Sequence, residues 1–124
     1  MAKILVVEDD PDISKLYKLR LELAGHTVIE AVDAYQGVKQ TRKEKPDLVI
    51  LDLMLPAGGG TSVLENIRAL PEGKRVPVVV VTCVQDPGIR QLVLDLGVEA
   101  IFDKSGNWDS IIATIHGILQ NRGK

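Results

Sequence analysis

Five side chains that could perform chemistry together each stand at or just after the end of a strand-like segment. They are Glu8, Asp9, Asp52, Thr82 and Lys104. Carboxylates brought close together repel one another, and Mg²⁺, which prefers oxygen ligands, relieves that repulsion. An aspartate beside Mg²⁺, with a hydroxyl and an ammonium group to hold oxyanions, is equipped to accept a phosphoryl group. If the fold gathers these side chains, the sequence predicts phosphoryl transfer onto Asp52.

Asp52 ends the segment around which the rest of the chain is organised. Residues 48–51 are four consecutive apolar residues, the pattern of a strand buried on both faces of a parallel sheet. Pro56 and the glycines at 58–60 then predict an open loop before the next helix. Open α/β sheets bind ligands beyond the carboxyl ends of their strands, where Asp52 is expected to lie. This segment alone is equally compatible with a simple loop-capping role for Asp52.

Strand-like and helix-like patterns alternate five times along the chain. Asp–Pro pairs at 10–11 and 86–87 begin the first and fourth helices, and Asn107 begins the fifth. Gly25 and Gly97 end the first and fourth helices. Five βα units with crossover helices form a parallel sheet covered on both faces. The first, third and fourth strands are apolar throughout, which predicts a doubly wound, flavodoxin-like α/β sandwich of strand order 2-1-3-4-5.

Length and composition predict one globular domain. The 124 residues are 45% hydrophobic and 26% charged, enough to bury a core without metals or disulfides. We expect the domain to span residues 1–121, followed by a polar tail at 122–124. The 15 basic and 17 acidic residues argue against direct nucleic-acid binding. The short apolar run near the N-terminus is too brief for a signal sequence or a membrane span, so we expect a cytoplasmic protein without membrane contact.

Cys83 is the only cysteine, so it cannot form an internal disulfide, which fits a reducing compartment. It follows a strongly β-branched segment at 78–82. We expect Cys83 to be a small core residue and not a nucleophile.

The ordered set of segments resembles the response-regulator receiver domain, and the resemblance covers the whole chain. It is carried by Ile-Leu-Val-Val-Glu-Asp-Asp at 4–10, Leu-Asp-Leu-Met-Leu-Pro at 51–56 with the glycines that follow, Val-Thr at 81–82, and Leu-Gly-Val at 96–98 running on to Lys104. It implies a phosphoacceptor switch in a two-component phosphorelay. In that role Asp52 accepts a phosphoryl group from a histidine kinase or a phosphotransfer protein, and the domain assists its own phosphotransfer and dephosphorylation.

The resemblance also implies how the site residues divide the work. Asp9, Asp52 and the backbone carbonyl of Met54 would ligate Mg²⁺, with Glu8 acting through water. The side chains that would hold the phosphoryl oxygens are Thr82 and Lys104. The downstream protein target would bind the face formed by the fourth helix, the fifth strand and the fifth helix, and the domain would be a monomer or a weak homodimer.

Three positions depart from the family pattern. Ser105 follows Lys104 where the family usually has proline after a cis bond, and a cis bond without proline costs about 2.5–4 kcal/mol, so we expect a trans bond. Ile101 stands where the family often has an aromatic residue that changes rotamer on activation. Cys83 stands where alanine or serine is commoner. These departures concern switching and leave the phosphoacceptor chemistry unchanged.

Three other functions fit parts of the pattern. A phosphohydrolase with an aspartate nucleophile would use a similar sheet, but those enzymes have a second aspartate two residues after the nucleophile, where Met54 stands. A flavodoxin-like cofactor carrier needs backbone N–H groups free to bind phosphate after the first strand, where the acidic residues at 8–10 would repel an anion. A degenerate receiver that serves only as a scaffold would not need the complete acidic set. The signalling switch is the interpretation that the pattern favours.

Overall fold

The computed structural model describes residues 2–55 and 59–122, and within them strands and α-helices alternate five times. The strands are β1 (Lys3–Val7), β2 (Thr27–Ala31), β3 (Leu48–Leu51), β4 (Val78–Thr82) and β5 (Ala100–Asp103). The helices are α1 (Pro11–Leu23), α2 (Ala34–Glu44), α3 (Gly59–Ala69), α4 (Pro87–Leu96) and α5 (Trp108–Arg122), with a 3₁₀ turn at Pro71–Gly73. Every strand pair is parallel, and the order β2-β1-β3-β4-β5 confirms the predicted fold.

Side-chain caps begin three of the helices where the sequence predicts. The Asp10 carboxylate accepts the backbone N–H groups two and three residues on, at 2.9 and 3.4 Å. The Asp86 carboxylate does the same for α4 at 2.8 and 3.3 Å, and the Asn107 side chain does so for α5 at 2.8 and 3.3 Å. Gly25 and Gly97 follow α1 and α4 with a φ of 93°, a conformation that favours glycine. These predicted helix limits are confirmed.

Two hydrophobic layers lie on opposite faces of the sheet. Successive residues of a strand point to opposite faces, so Leu5 and Val7 enter one layer while Ile4 and Val6 enter the other. The first layer is covered by α2, α3 and α4, and it is aliphatic. The second is covered by α1 and α5 and includes Tyr17. The central strands β1, β3 and β4 are therefore buried on both faces, as their composition predicts.

Arg68, near the end of α3, connects three separate segments through its guanidinium group. It donates hydrogen bonds to the carbonyls of Gly73 at 2.9 Å, Val76 at 2.7 Å and Gly97 at 2.6 Å. Partial burial lowers the pKa of Arg68 from its ordinary value. The end of α4 is thus held against the end of α3.

One strand limit and one residue beside a strand differ from the prediction. The apolar alternation predicts the last strand over residues 98–103, but β5 begins at Ala100, because the chain is still turning at Glu99, whose N–H donates to Val78 O at 2.8 Å. β4 ends at Thr82, so Cys83 lies in the following loop with an exposed side chain. The prediction that Cys83 is a core residue is therefore wrong. The described part of the chain contains no cis peptide bond, so the trans Lys104–Ser105 bond is confirmed.

Candidate functional site

Three carboxylates meet at the edge where β1 and β3 end. Val7 pairs with Leu51 in the register of these neighbouring strands, so the residues that follow them lie side by side. Glu8, Asp9 and Asp52 each place one carboxylate oxygen within 4.8 Å of the others. Glu8 and Asp52 are only 3% exposed, whereas Asp9 is exposed. The structure therefore brings together the acidic residues that the sequence predicts for the site.

Lys104 supplies a cation to the two buried carboxylates. Its Nζ donates to Asp52 Oδ2 at 2.7 Å and lies 2.9 Å from Glu8 Oε1 and 3.1 Å from Glu8 Oε2. Burial alone would lower the pKa of Lys104, but its hydrogen bonds to Asp52 and Glu8 outweigh burial and raise that pKa. Burial raises the pKa of Glu8, and the nearby charge of Asp52 adds to this, although the bond from Lys104 opposes it. With three carboxylates and one ammonium group, this edge carries more formal negative charge than positive charge.

Met54 and Thr82 complete the predicted set. The N–H of Met54 donates to Asp52 Oδ1 at 3.0 Å, which fixes the orientation of the carboxylate between Met54 and Lys104. Thr82 is fully buried at the end of β4, and its hydroxyl accepts the N–H of Val84 at 3.2 Å. The backbone N–H of Lys104 donates to the Thr82 carbonyl at 3.1 Å. The same edge of the sheet therefore carries Thr82, at the end of β4, and Lys104, directly after β5.

The donor set fits a hard cation. Glu8, Asp9 and Asp52 offer oxygen ligands, and Asp9 opens the cluster to solvent, which suits an ion such as Mg²⁺ that keeps several waters. A second cation beside Lys104 would also relieve the remaining repulsion between the carboxylates. The arrangement can hold a divalent cation next to an oriented aspartate.

Gly60 is a structural requirement of the site that the sequence interpretation missed. A Cβ atom there would clash with Leu53 Cα and lie 2.6 Å from Asp52 O, so only glycine fits. The expectation of an open loop through 58–60 is wrong in part. Gly59 and Gly60 already form the first turn of α3, while Gly58 lies outside the described residues. Because Gly60 approaches Leu53 closely, the first turn of α3 packs directly against the backbone of Asp52.

Two of the three positions that depart from the family pattern lie on or just after β5. Ile101 is half-buried and packs on the aliphatic layer. The Ser105 N–H and hydroxyl donate to Asp103 Oδ1 at 2.9 and 2.7 Å, which lowers the pKa of Asp103. Ser105 thus stabilises the turn that follows β5, directly after Lys104.

Comparison with known proteins gives consistent matches. The family model of the response regulator receiver domain matches residues 4–116. The transcriptional regulator RpaA of Synechocystis sp. is 32% identical over 120 residues, which cover 97% of this chain and 50% of RpaA. The chain spans about half the length of the first curated relatives that it matches.

Solved structures give the same result. A CheY-like receiver domain protein from Methanospirillum hungatei superimposes with a TM-score of 0.92 and 28% identity, covering 99% of this chain and 97% of that chain. The receiver domain of a sensor histidine kinase from Pseudomonas aeruginosa superimposes with a TM-score of 0.81 and 29% identity, covering 97% of this chain and 95% of that chain. That domain has a magnesium ion coordinated in its active-site cleft. None of the helices in the described part of this chain combines the length and the apolar composition that a transmembrane helix needs.

Proposed function

This chain belongs to the response regulator receiver domain family of two-component systems, and we propose that it is a phosphoacceptor switch whose acceptor is Asp52. The observation that carries the proposal is the buried Asp52 carboxylate, oriented by Met54 and Lys104 beside two further carboxylates. In the transfer, an Asp52 oxygen forms a bond to phosphorus while the P–N bond of a phosphohistidine breaks. The donor is a histidine kinase or a phosphotransfer protein.

Mg²⁺ is the cofactor that the acidic cluster supports. Asp9, Asp52 and the Met54 carbonyl would ligate it, with Glu8 acting through water. The ion would neutralise charge on the phosphoryl oxygens and on the carboxylates that they approach. The magnesium in the active-site cleft of the Pseudomonas aeruginosa receiver domain supports this assignment.

Lys104 and Thr82 hold the phosphoryl oxygens in this proposal. Lys104 already bonds to the Asp52 oxygen that faces it, so its ammonium group needs only a small movement to reach an oxygen attached to phosphorus. Thr82 can exchange the loop N–H that its hydroxyl accepts for a donated bond to the phosphoryl group. That exchange would reshape the loop after β4 and shift the domain toward an active conformation.

The phosphorylated domain would bind its downstream protein through the surface formed by α4, β5 and α5. Leu92 and Leu94 on α4 are 44% and 51% exposed, which leaves apolar area for a downstream protein. We place the protein in the cytoplasm as a monomer or a weak homodimer. The domain assists its own phosphorylation and dephosphorylation without acting on a separate substrate.

Intact-mass measurement with acetyl phosphate and Mg²⁺ tests the assignment. We expect the addition of one phosphoryl mass, which Asp52→Asn abolishes and the exposed-carboxylate control Asp95→Asn retains. The modification should be lost at alkaline pH, because an acyl phosphate hydrolyses there. Undiminished modification of the Asp52→Asn variant would assign the acceptor to another residue.

A further inference from the structure

An open groove of about 610 Å³ runs between α2 and α3. Ala34 and Val38 form its apolar part and pack on the aliphatic layer beneath it. The side chain of Tyr35, at its edge, is 70% exposed. Ser62 and Asn66 of α3 supply polar groups on the opposite side. Tyrosine exposed beside an apolar concavity is typical of surfaces that a partner covers.

Three cations line the same groove. Lys39, Arg42 and Lys43 are spaced i, i+3 and i+4 on α2, so they share one face of the helix. All three are exposed, and none of their side chains forms an ion pair or hydrogen bond with another described residue. No acidic side chain lines the groove among the residues described. By contrast, Lys3 is paired with Glu44 at 3.4 Å. The positive charge of the groove is therefore uncompensated.

We propose that this groove binds an acidic amphipathic segment of a partner protein. Its apolar side chains would lie on Val38 and against the ring of Tyr35, and its carboxylates would pair with Lys39, Arg42 and Lys43. Concave grooves of this kind accept helices through a few apolar anchors with charged residues around them. An anionic membrane surface fits less well, since polybasic membrane sites usually carry 4–8 cations and this chain has a net charge of −2.

A phage-displayed library of random 12-residue peptides tests the proposal. The library is selected on the intact chain after depletion on the Arg42→Glu/Lys43→Glu variant. We expect the retained peptides to be enriched in Asp and Glu around one or two Leu, Phe or Trp residues. The most enriched peptide is then synthesised with a fluorescent label for anisotropy measurements.

The affinity of that peptide separates the groove from general electrostatic attraction. We expect Arg42→Glu/Lys43→Glu to weaken binding about tenfold or more, because two attractive charges become repulsive. Lys74→Glu/Arg75→Glu makes the same charge change at exposed residues outside the groove and should leave affinity within about twofold. Tyr35→Ala should weaken binding without a change in charge. Circular dichroism confirms that each variant is folded.

Three results would overturn the proposal. The first is a set of selected peptides without an excess of acidic residues. The second is equal weakening by the two double variants, which would indicate attraction to the whole molecule. The third is binding of vesicles with 30% anionic lipid that depends on Arg42 and Lys43 when no peptide is retained, which would assign the groove to a membrane surface.

Discussion

Two regions of the molecule concentrate charge: the acidic site at the ends of the strands, called the cleft below, and the groove between α2 and α3. The cleft consists of Glu8, Asp9, Asp52, Thr82 and Lys104. The two regions differ in how far their charges are buried and paired. In the cleft, Glu8 and Asp52 are almost completely buried, and both contact Lys104. In the groove, Lys39 and Arg42 are exposed and have no charged partner among the described residues. Water screens the charges of the groove, whereas the protein itself must stabilise those of the cleft. The same substitution should therefore have very different effects in the two places.

Removing the cation of the cleft should have the largest effect. Lys104→Met leaves Glu8 and Asp52 buried without a counterion, and we expect it to lower the free energy of unfolding by roughly 3 kcal/mol. Arg42→Met, the matched change in the groove, should alter that free energy by less than about 0.5 kcal/mol. Urea denaturation in the presence of EDTA measures both. Similar losses in the two variants would show that burial does not distinguish these sites.

Substitution of Gly60 tests the position of α3, the helix that contacts the cleft and lines the groove. Gly60→Ala puts a methyl group against the backbone of Leu53 and Asp52, so we expect a loss of about 1–3 kcal/mol and slower phosphorylation by acetyl phosphate. Gly117→Ala, in α5, meets no neighbouring atom within 4 Å and should instead stabilise the protein by about 0.5–1 kcal/mol. Thermal unfolding of the pair separates close packing from helix propensity. A neutral Gly60→Ala variant would contradict the close approach.

Mg²⁺ should stabilise the cleft and leave the groove unaffected. A ligand that binds only the folded state at ten times its dissociation constant raises the free energy of unfolding by about 1.4 kcal/mol. We expect the melting temperature to rise accordingly, and Asp9→Ala to remove most of the rise. Lys39→Ala, in the groove, should retain all of it. A melting temperature that does not change across millimolar Mg²⁺ would count against the metal site.

A histidine pair away from both sites gives the smallest predicted effect. The rings of His26 and His116 lie 5.2 Å apart, and burial, followed by the charge of His116, lowers the pKa of His26. The unfolded chain therefore binds this proton more tightly than the folded chain does. The stability contributed by neutral His26 should be lost as pH falls below about 6.5 toward the lowered value. His26→Asn should reduce the difference in unfolding free energy between pH 7.5 and 5.5, and an unchanged difference would refute this.

Local chemistry explains why much of the fold and site could be predicted. The caps at Asp10 and Asp86 need only the next three residues, so an Asp–Pro pair is sufficient to find them. Strand order follows from which strands are apolar throughout. The acidic cluster then follows from the topology, because each carboxylate comes directly after a strand and parallel strands end at a common edge.

The features that could not be predicted depend on contacts between separate parts of the chain. The constraint on Gly60 comes from Leu53, and the histidine pair joins segments about 90 residues apart. The groove requires the relative placement of α2 and α3, which the pattern of either helix alone does not contain. The wrong prediction for Cys83 has a simpler origin. A β-branched run shows that a strand exists, but a single residue at its end decides between core and loop.

Because the hydrogen bonds of Arg68 fix one end of α4, the helix can pivot about that end. The guanidinium group holds the Gly97 carbonyl, at the close of the helix, to α3. At the opposite end, the first turn is bonded to the loop that follows Thr82, through the Asp86 carboxylate and through Arg90 to the Val84 carbonyl. A small movement of that loop should therefore swing Pro87 furthest and Gly97 least. The displacement would grow along the helix toward its first turn, which follows the loop after Thr82.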